Sequence, residues 1–169
     1  MRRTLTFSIA LLLCLSPLAG LATPVAANDE VTLTVSVETP RDNPVNDAQL
    51  TVSWDGGSRN ETTAANGRAF VDVPAGANVT ITVTHPRYVR NNPVEVTNAT
   101  ERDVAVTAYP KAAATLDVVD ANGAPVSNAR VRLYKRDQLA VNTTTDANGE
   151  VETGIVEFGE HRVEITKRG

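Results

Sequence analysis

A segment that returns about 81 residues downstream constrains this chain more than any other feature. The run Asn43-Pro44-Val45-Asn46-Asp47-Ala48-Gln49-Leu50-Thr51-Val52 lines up with Ala124-Pro125-Val126-Ser127-Asn128-Ala129-Arg130-Val131-Arg132-Leu133. Thr62-Thr63-Ala64-Ala65-Asn66-Gly67-Arg68 lines up with Thr144-Thr145-Asp146-Ala147-Asn148-Gly149-Glu150, and Ile81-Thr82-Val83 with Val163-Glu164-Ile165. A nearly constant offset of this length marks one structural unit used twice. Within each unit the apolar period is two. Val31, Leu33, Val35 and Val37 alternate with Thr32, Thr34 and Ser36; Leu50, Val52 and Trp54 alternate with Thr51 and Ser53; Val79, Ile81 and Val83 alternate with Thr80, Thr82 and Thr84. Such alternation of β-branched and polar residues builds strands with one buried and one wet face. Breakers separate the runs at Pro40 to Pro44, Asp55-Gly56-Gly57, Pro74-Ala75-Gly76 and Asn91-Asn92-Pro93. The Asn66-Gly67 and Asn148-Gly149 pairs read as turns closing hairpins with positive φ at both positions. No helical stripe follows Asn28, so the fold class is all-β.

The start of the chain has a different character. Met1-Arg2-Arg3 is basic, Leu5 to Leu15 is apolar and uncharged, and Val25-Ala26-Ala27 supplies small residues before Asn28-Asp29-Glu30. That is the layout of a secretory signal peptide spanning 1–27; the apolar run is too short for the roughly 20 residues of a membrane span. Either the general or the twin-arginine export route suits it. Cleavage removes two of the 16 basic residues and none of the 20 acidic ones, so the net charge moves from −4 to −6. It also removes Cys14, the single cysteine, leaving no disulfide for a domain bound for an oxidising compartment. Few lysines and many Val, Thr and Ala residues, on an acidic background, suggest a salt-adapted secreted protein. The net negative charge argues against sequence-independent nucleic-acid binding.

Residues Asp120-Ala121-Asn122-Gly123-Ala124-Pro125-Val126-Ser127-Asn128-Ala129-Arg130-Val131 resemble the opening of a carboxypeptidase regulatory-like domain. Thr145-Asp146-Ala147-Asn148-Gly149-Glu150-Val151 and Gly159-Glu160-His161-Arg162-Val163-Glu164-Ile165 resemble its middle hairpin and closing strand; Arg41 to Val45 and Ala65 to Phe70 repeat these more loosely. The resemblance implies tandem antiparallel sandwiches, Ig-like or transthyretin-like, which serve as non-catalytic units of secreted and surface proteins. Module 1 then covers 28–109, a linker 110–113, and module 2 114–169. Module 1 continues through Val94 to Thr97 and Asp103 to Ala108, read as a terminal hairpin. Module 2 lacks counterparts of those last strands, so its open edge invites a strand-completing partner.

Candidate sites are sparse. Asp120, Asn122, Asp146 and Asn148 offer oxygen ligands of the kind Ca²⁺ takes, without the rest of an EF-hand loop; the same tetrapeptides serve as plain turns. Asn60, Asn78, Asn98 and Asn142 head N-glycosylation sequons, each expected at a strand end or loop. Trp54 shares parity with Leu50 and Val52 and reads as core, whereas Tyr134 and Tyr88, the latter placed in a loop, read as exposed ligand-contact candidates. Glu150, Glu152, Glu157, Glu160 and Glu164 read as a solvated acidic face. His85 and His161 lie in no nucleophile, metal or phosphate-loop motif. The expected role is therefore a structural or interaction module without catalytic residues or cofactor, meeting an extracellular protein or glycan. A carbohydrate-binding module and an accessory domain of a larger secreted hydrolase are the alternatives.

Overall fold

The computed structural model describes residues 29–167, so the signal-peptide segment and Cys14 lie outside the described residues. The described chain is all-β, with fifteen strands and no helix. In the first repeat these are β1 (Glu30–Glu38), β2 (Gln49–Trp54), β3 (Gly57–Thr62), β4 (Arg68–Pro74), β5 (Val79–Thr84), β6 (Tyr88–Val89), β7 (Val94–Val96) and β8 (Arg102–Thr107). Then come β9 (Tyr109–Ala112), β10 (Thr115–Asp117), β11 (Arg130–Lys135), β12 (Gln138–Thr144), β13 (Glu150–Glu152), β14 (Val156–Glu157) and β15 (Arg162–Thr166).

Two sheets enclose the first core. One has the order β4-β1-β8, and the other carries β3-β2-β5 onward to β6 and β7. Leu33, Val35 and Val37 of β1, Leu50 and Val52 of β2, Val71 and Val73 of β4, and Val79 and Ile81 of β5 are fully or almost fully buried, which is what the period-two pattern requires. Trp54 packs partly buried against this cluster. A smaller second core gathers Val118, Ala129, Val131, Leu133 and Val151, between β10-β13 and β12-β11-β15.

The two repeats share a set of backbone and threonine hydrogen bonds at matched positions. Val37 donates its backbone N–H to Gly67 and accepts from Val45; Val118 does the same with Gly149 and Val126. Thr63 Oγ1 donates to the Val45 carbonyl at 2.7 Å and accepts from the Ala48 N–H at 2.9 Å; Thr145 repeats this with Val126 and Ala129 at 2.6 and 2.9 Å. These hydroxyls are buried polar groups whose cost is met by bonds to otherwise unpaired backbone. The change of offset from 81 to 82 has a local cause. Tyr134 pairs with Leu139 and Leu133 with Val141, so Ala140 is an extra bulged residue in β12.

Three expectations change. The Asn-Gly turns do not close hairpins: β3 pairs β2 whereas β4 pairs β1, so each turn carries the chain from one sheet to the other. Only Gly67 and Gly149 take positive φ there, while Asn66 uses its side chain to accept the Arg68 N–H. The turn with two positive-φ residues is Arg136-Asp137, between β11 and β12. The strands after Val83 are not a terminal hairpin either. β7 joins β5 in one sheet, and β8 runs parallel to β1 in the other, which lets Val96, Val104 and Val106 close the core from both sides. Lastly, Tyr109–Ala112 is a strand, antiparallel to β6 on one side and to β14 on the other.

The crossing glycines make a prediction. A Cβ on Gly67 would meet the Val37 carbonyl at 2.6 Å, and one on Gly149 the Val118 carbonyl at 2.5 Å, both from positive φ. At Gly123 the φ is also positive, but nothing lies within 4 Å. Gly67→Ala and Gly149→Ala should each cost well over the roughly 1 kcal/mol expected of Gly123→Ala, since a backbone clash adds to the conformational penalty. Thermal or urea unfolding of the three variants measures the ranking.

Candidate functional site

The joint between the two cores holds a cluster of polar and aromatic side chains. β9 supplies Tyr109. The β11–β12 turn supplies Arg136, a positive-φ residue (φ 48°) whose guanidinium reaches Glu157 of β14. Glu157, on β14, is almost fully buried. Its carboxylate accepts from Arg136 Nη2 at 3.2 Å and from the Asn91 backbone N–H at 3.1 Å, and its own N–H donates to Asn91 Oδ1 at 2.8 Å. Asn91 Nδ2 donates to the Ile155 carbonyl. Arg136 and Lys135 stand over the Tyr109 ring, 4.7 and 5.1 Å from its centre, and Lys135 Nζ donates to the Phe158 carbonyl at 3.0 Å. Removing one partner of such a buried charge leaves the other uncompensated, so the set acts as a latch between repeats. Glu157 therefore does not belong to a solvated acidic face as its spacing suggests; Glu152 and Glu160 are exposed. Its burial follows from Asn91 and Arg136, which lie 66 and 21 residues away in sequence and which no local pattern connects to it.

Beside this latch opens a cleft of about 460 Å³ lined by Pro40, Arg41, Tyr88, Tyr109, Lys135 and Phe158, among others. Tyr88 is half-buried on strand β6 rather than in a loop, because it pairs with Pro110 of β9. Phe158 is exposed. Tyr134 lies apart from this cleft, half-buried, with the Arg162 guanidinium 4.3 Å from its ring centre. The structure thus brings Tyr88 together with Tyr109 and Phe158, and not with Tyr134.

The calcium candidates are engaged in turns. Asp120 Oδ1 accepts the N–H groups of Asn122 and Ala124 at 2.8 and 2.9 Å; Asp146 Oδ1 accepts those of Asn148 and Glu150, each at 2.8 Å. The bonds from Ala124 and Asn122 hold the Asp120 carboxyl below its ordinary range. Among the described residues no group of three or more His, Cys, Asp or Glu converges on one point. All four sequon asparagines are exposed. Asn60 and Asn142 lie inside β3 and β12 rather than at strand ends, and they face equivalent partners, Thr51 and Arg132.

His85 is buried, and its Nδ1 accepts the N–H groups of Arg87 and Tyr88 at 3.1 and 3.2 Å. Burial, followed by the nearby Arg87 charge, pushes its pKa below the ordinary value. Both bonds need an unprotonated Nδ1, so the neutral ring is the form built into the fold. A base whose folded pKa lies below its unfolded value contributes stability above pH 6.5 and loses it as pH falls from there through the folded value. The melting temperature should drop across that window, and His85→Gln should flatten the drop; thermal scans between pH 8 and 5 measure it.

Residues 115–169 match the family model of the carboxypeptidase regulatory-like domain. The match covers the second repeat, whose turn and core residues carry the resemblance. No curated protein matches the chain. Among solved structures, the Bacillus anthracis TIE protein is similar at 18% identity with a TM-score of 0.42, over 81% of this chain and 28% of its own. A streptococcal ancillary pilin follows at 14% and 0.39, over 82% and 54%. A DUF3823 family protein from Bacteroides ovatus stands at 15% and 0.42, over 82% and 91%. The chain thus spans about a quarter and about half of the first two.

Proposed function

We propose that this chain is a non-catalytic module of a secreted or cell-surface protein, acting as a spacer or protein-binding unit. The observation that carries the reading is where the chemically capable side chains spend their bonds. His85, Glu157, Asp120 and Asp146 are each tied to backbone N–H groups of the fold itself. A group engaged in this way is positioned to hold a turn or a joint, whereas a general acid or base must reach a substrate proton. Support for a surface-contact role comes from exposed apolar side chains concentrated in the second repeat: Ile155, Phe158, Val163 and Ile165. Patches of this kind mark interaction surfaces. Export is supported by the layout of residues 1–27, and no helix among the described residues is long and apolar enough to cross a membrane. The exposed Asn60, Asn78, Asn98 and Asn142 would then be open to glycosylation.

One observation favours the carbohydrate alternative: the cleft holding Tyr88, Tyr109 and Phe158, since sugars stack on aromatic rings. A single experiment weighs both readings. The full gene is expressed in a secreting host, and the product is recovered from medium and cell envelope. The expected result is a mass starting at Asn28, no turnover of ester, glycoside or peptide substrates, and no retention on a glycan array. Cytoplasmic retention of the uncleaved chain, or turnover, overturns the proposal. Glycan retention lost in Phe158→Ala moves it to the carbohydrate reading.

A further inference from the structure

The internal duplication supplies a reference for the outer faces of the second repeat. On β11, Arg130 and Arg132 stand on the outward side, since the alternating Val131 and Leu133 are buried. Their cross-strand neighbours are Thr144 and Asn142 of β12 and Thr166 and Glu164 of β15. A depression of about 540 Å³ on this face is lined by Arg130, Arg132, Thr144 and Thr166 among others. Glu164 bonds Arg162, and among the described residues Arg130 and Arg132 have no carboxylate within 4 Å. The matched residues of the first repeat, Gln49, Thr51, Asn60, Thr62, Thr82 and Thr84, are all neutral and exposed. That repeat has its later strands in place and they leave this face open, so the two arginines are particular to the second.

The opposite sheet has the reverse sign. β10 and β13 carry Asp117, Glu150 and Glu152 outward, with Asp117 and Glu150 as direct cross-strand partners, while Val151 is buried in the core. None of the three has a cationic partner within 4 Å among the described residues. Their counterparts in the first repeat are Ser36, Arg68 and Phe70, and Arg68 and Phe70 stay exposed although β8 completes that sheet.

We infer that the acidic β10–β13 face of one copy docks on the basic β11 face of a second copy, with Glu150 and Glu152 meeting Arg130 and Arg132. The spacing agrees on both sides, because residues two apart on a strand share a face about 7 Å from each other. A guanidinium also grips a carboxylate through two parallel bonds, which gives the contact direction as well as attraction. Like charges directly opposite are destabilising, so an arriving arginine relieves the Asp117–Glu150 pair. An acidic polymer would satisfy the arginines and leave that repulsion in place, whereas a second copy answers both faces. The two faces lie on opposite sides of the core of Val131, Leu133 and Val151, so they cannot meet within one chain. A docked pair therefore still offers one free face of each sign, and copies add head to tail. Exposed ion pairs contribute little singly and are screened by salt, so the contact is weak and salt-sensitive.

This inference rests on the reading of the chain as a contact module, and its test is independent of catalysis or export. The folded full chain is produced without N-glycans, because Asn142 faces Arg132. Its mass is followed by sedimentation and light scattering at about 0.1 M salt, where charges act over about 10 Å, and at about 1 M, where they act over about 3 Å. Expected is a mass that grows with concentration at the lower salt and association at least tenfold weaker at the higher. Arg130→Gln with Arg132→Thr installs the residues the first repeat carries there, and should weaken association at least tenfold while unfolding stays cooperative. Two charge reversals complete the set. Arg130→Glu with Arg132→Glu gives a chain with two acidic faces, and Glu150→Arg with Glu152→Arg gives one with two basic faces. Each should be monomeric alone, and their equimolar mixture should associate. The inference is overturned if the unaltered chain is monomeric at both salts, if the neutral variant associates as strongly as the unaltered chain, or if the mixture stays monomeric. A monomer held on polyglutamate through Arg130 and Arg132 also overturns it, and seats an acidic polymer on this face. Substrate turnover would sink the contact-module reading without altering the masses.

Discussion

The close crossing of β1 over the Gly67 turn, and of Val118, just after β10, over the Gly149 turn, is the constraint on which both repeats depend. At these points one sheet hands the chain to the other, and the backbones approach too closely for any side chain beyond hydrogen. The Val37 and Val118 amides bond directly across the gap, and the buried hydroxyls of Thr63 and Thr145 fix the neighbouring strand entry. The crossing is a backbone interaction, and it tolerates wide variation in the residues around it. Arg68 and Phe70 can thus stand where Glu150 and Glu152 stand without changing the fold.

The all-β class and the inward residues of β1, β2, β4 and β5 were legible because period-two alternation is a local property of the chain. The shared positions of the repeat were legible for the same reason, and Ala140 accounts for the single residue by which the offset slips. Pairing was harder to read. Asn66-Gly67 has the composition of a tight hairpin, yet its flanking strands belong to different sheets, a distinction made by long-range partners alone. β7 and β8 are adjacent in sequence and separated in space for the same reason.

The candidate site was the least legible part. Glu157 sits in a run of acids whose spacing suggests a wet surface, and only Asn91 and Arg136 explain its burial. Tyr88 and Tyr134 looked alike in sequence, but one faces a cleft and the other lies under Arg162. The aspartates of the two Asp-Ala-Asn-Gly turns were open to two readings, and in the structure both bond to the backbone two and four residues ahead. The most useful signal was the duplication itself, because one copy serves as a reference for the other.

The strand β9 has a consequence beyond its place in the sheet. A flexible connection would let the two halves tumble independently, and anything touching both would have to arrest that motion at an entropic cost. Here the connecting residues are hydrogen-bonded on both sides, to β6 and to β14, and Glu157 locks the far end. The orientation of one half against the other is set during folding, so a body that spans both meets a single prearranged surface.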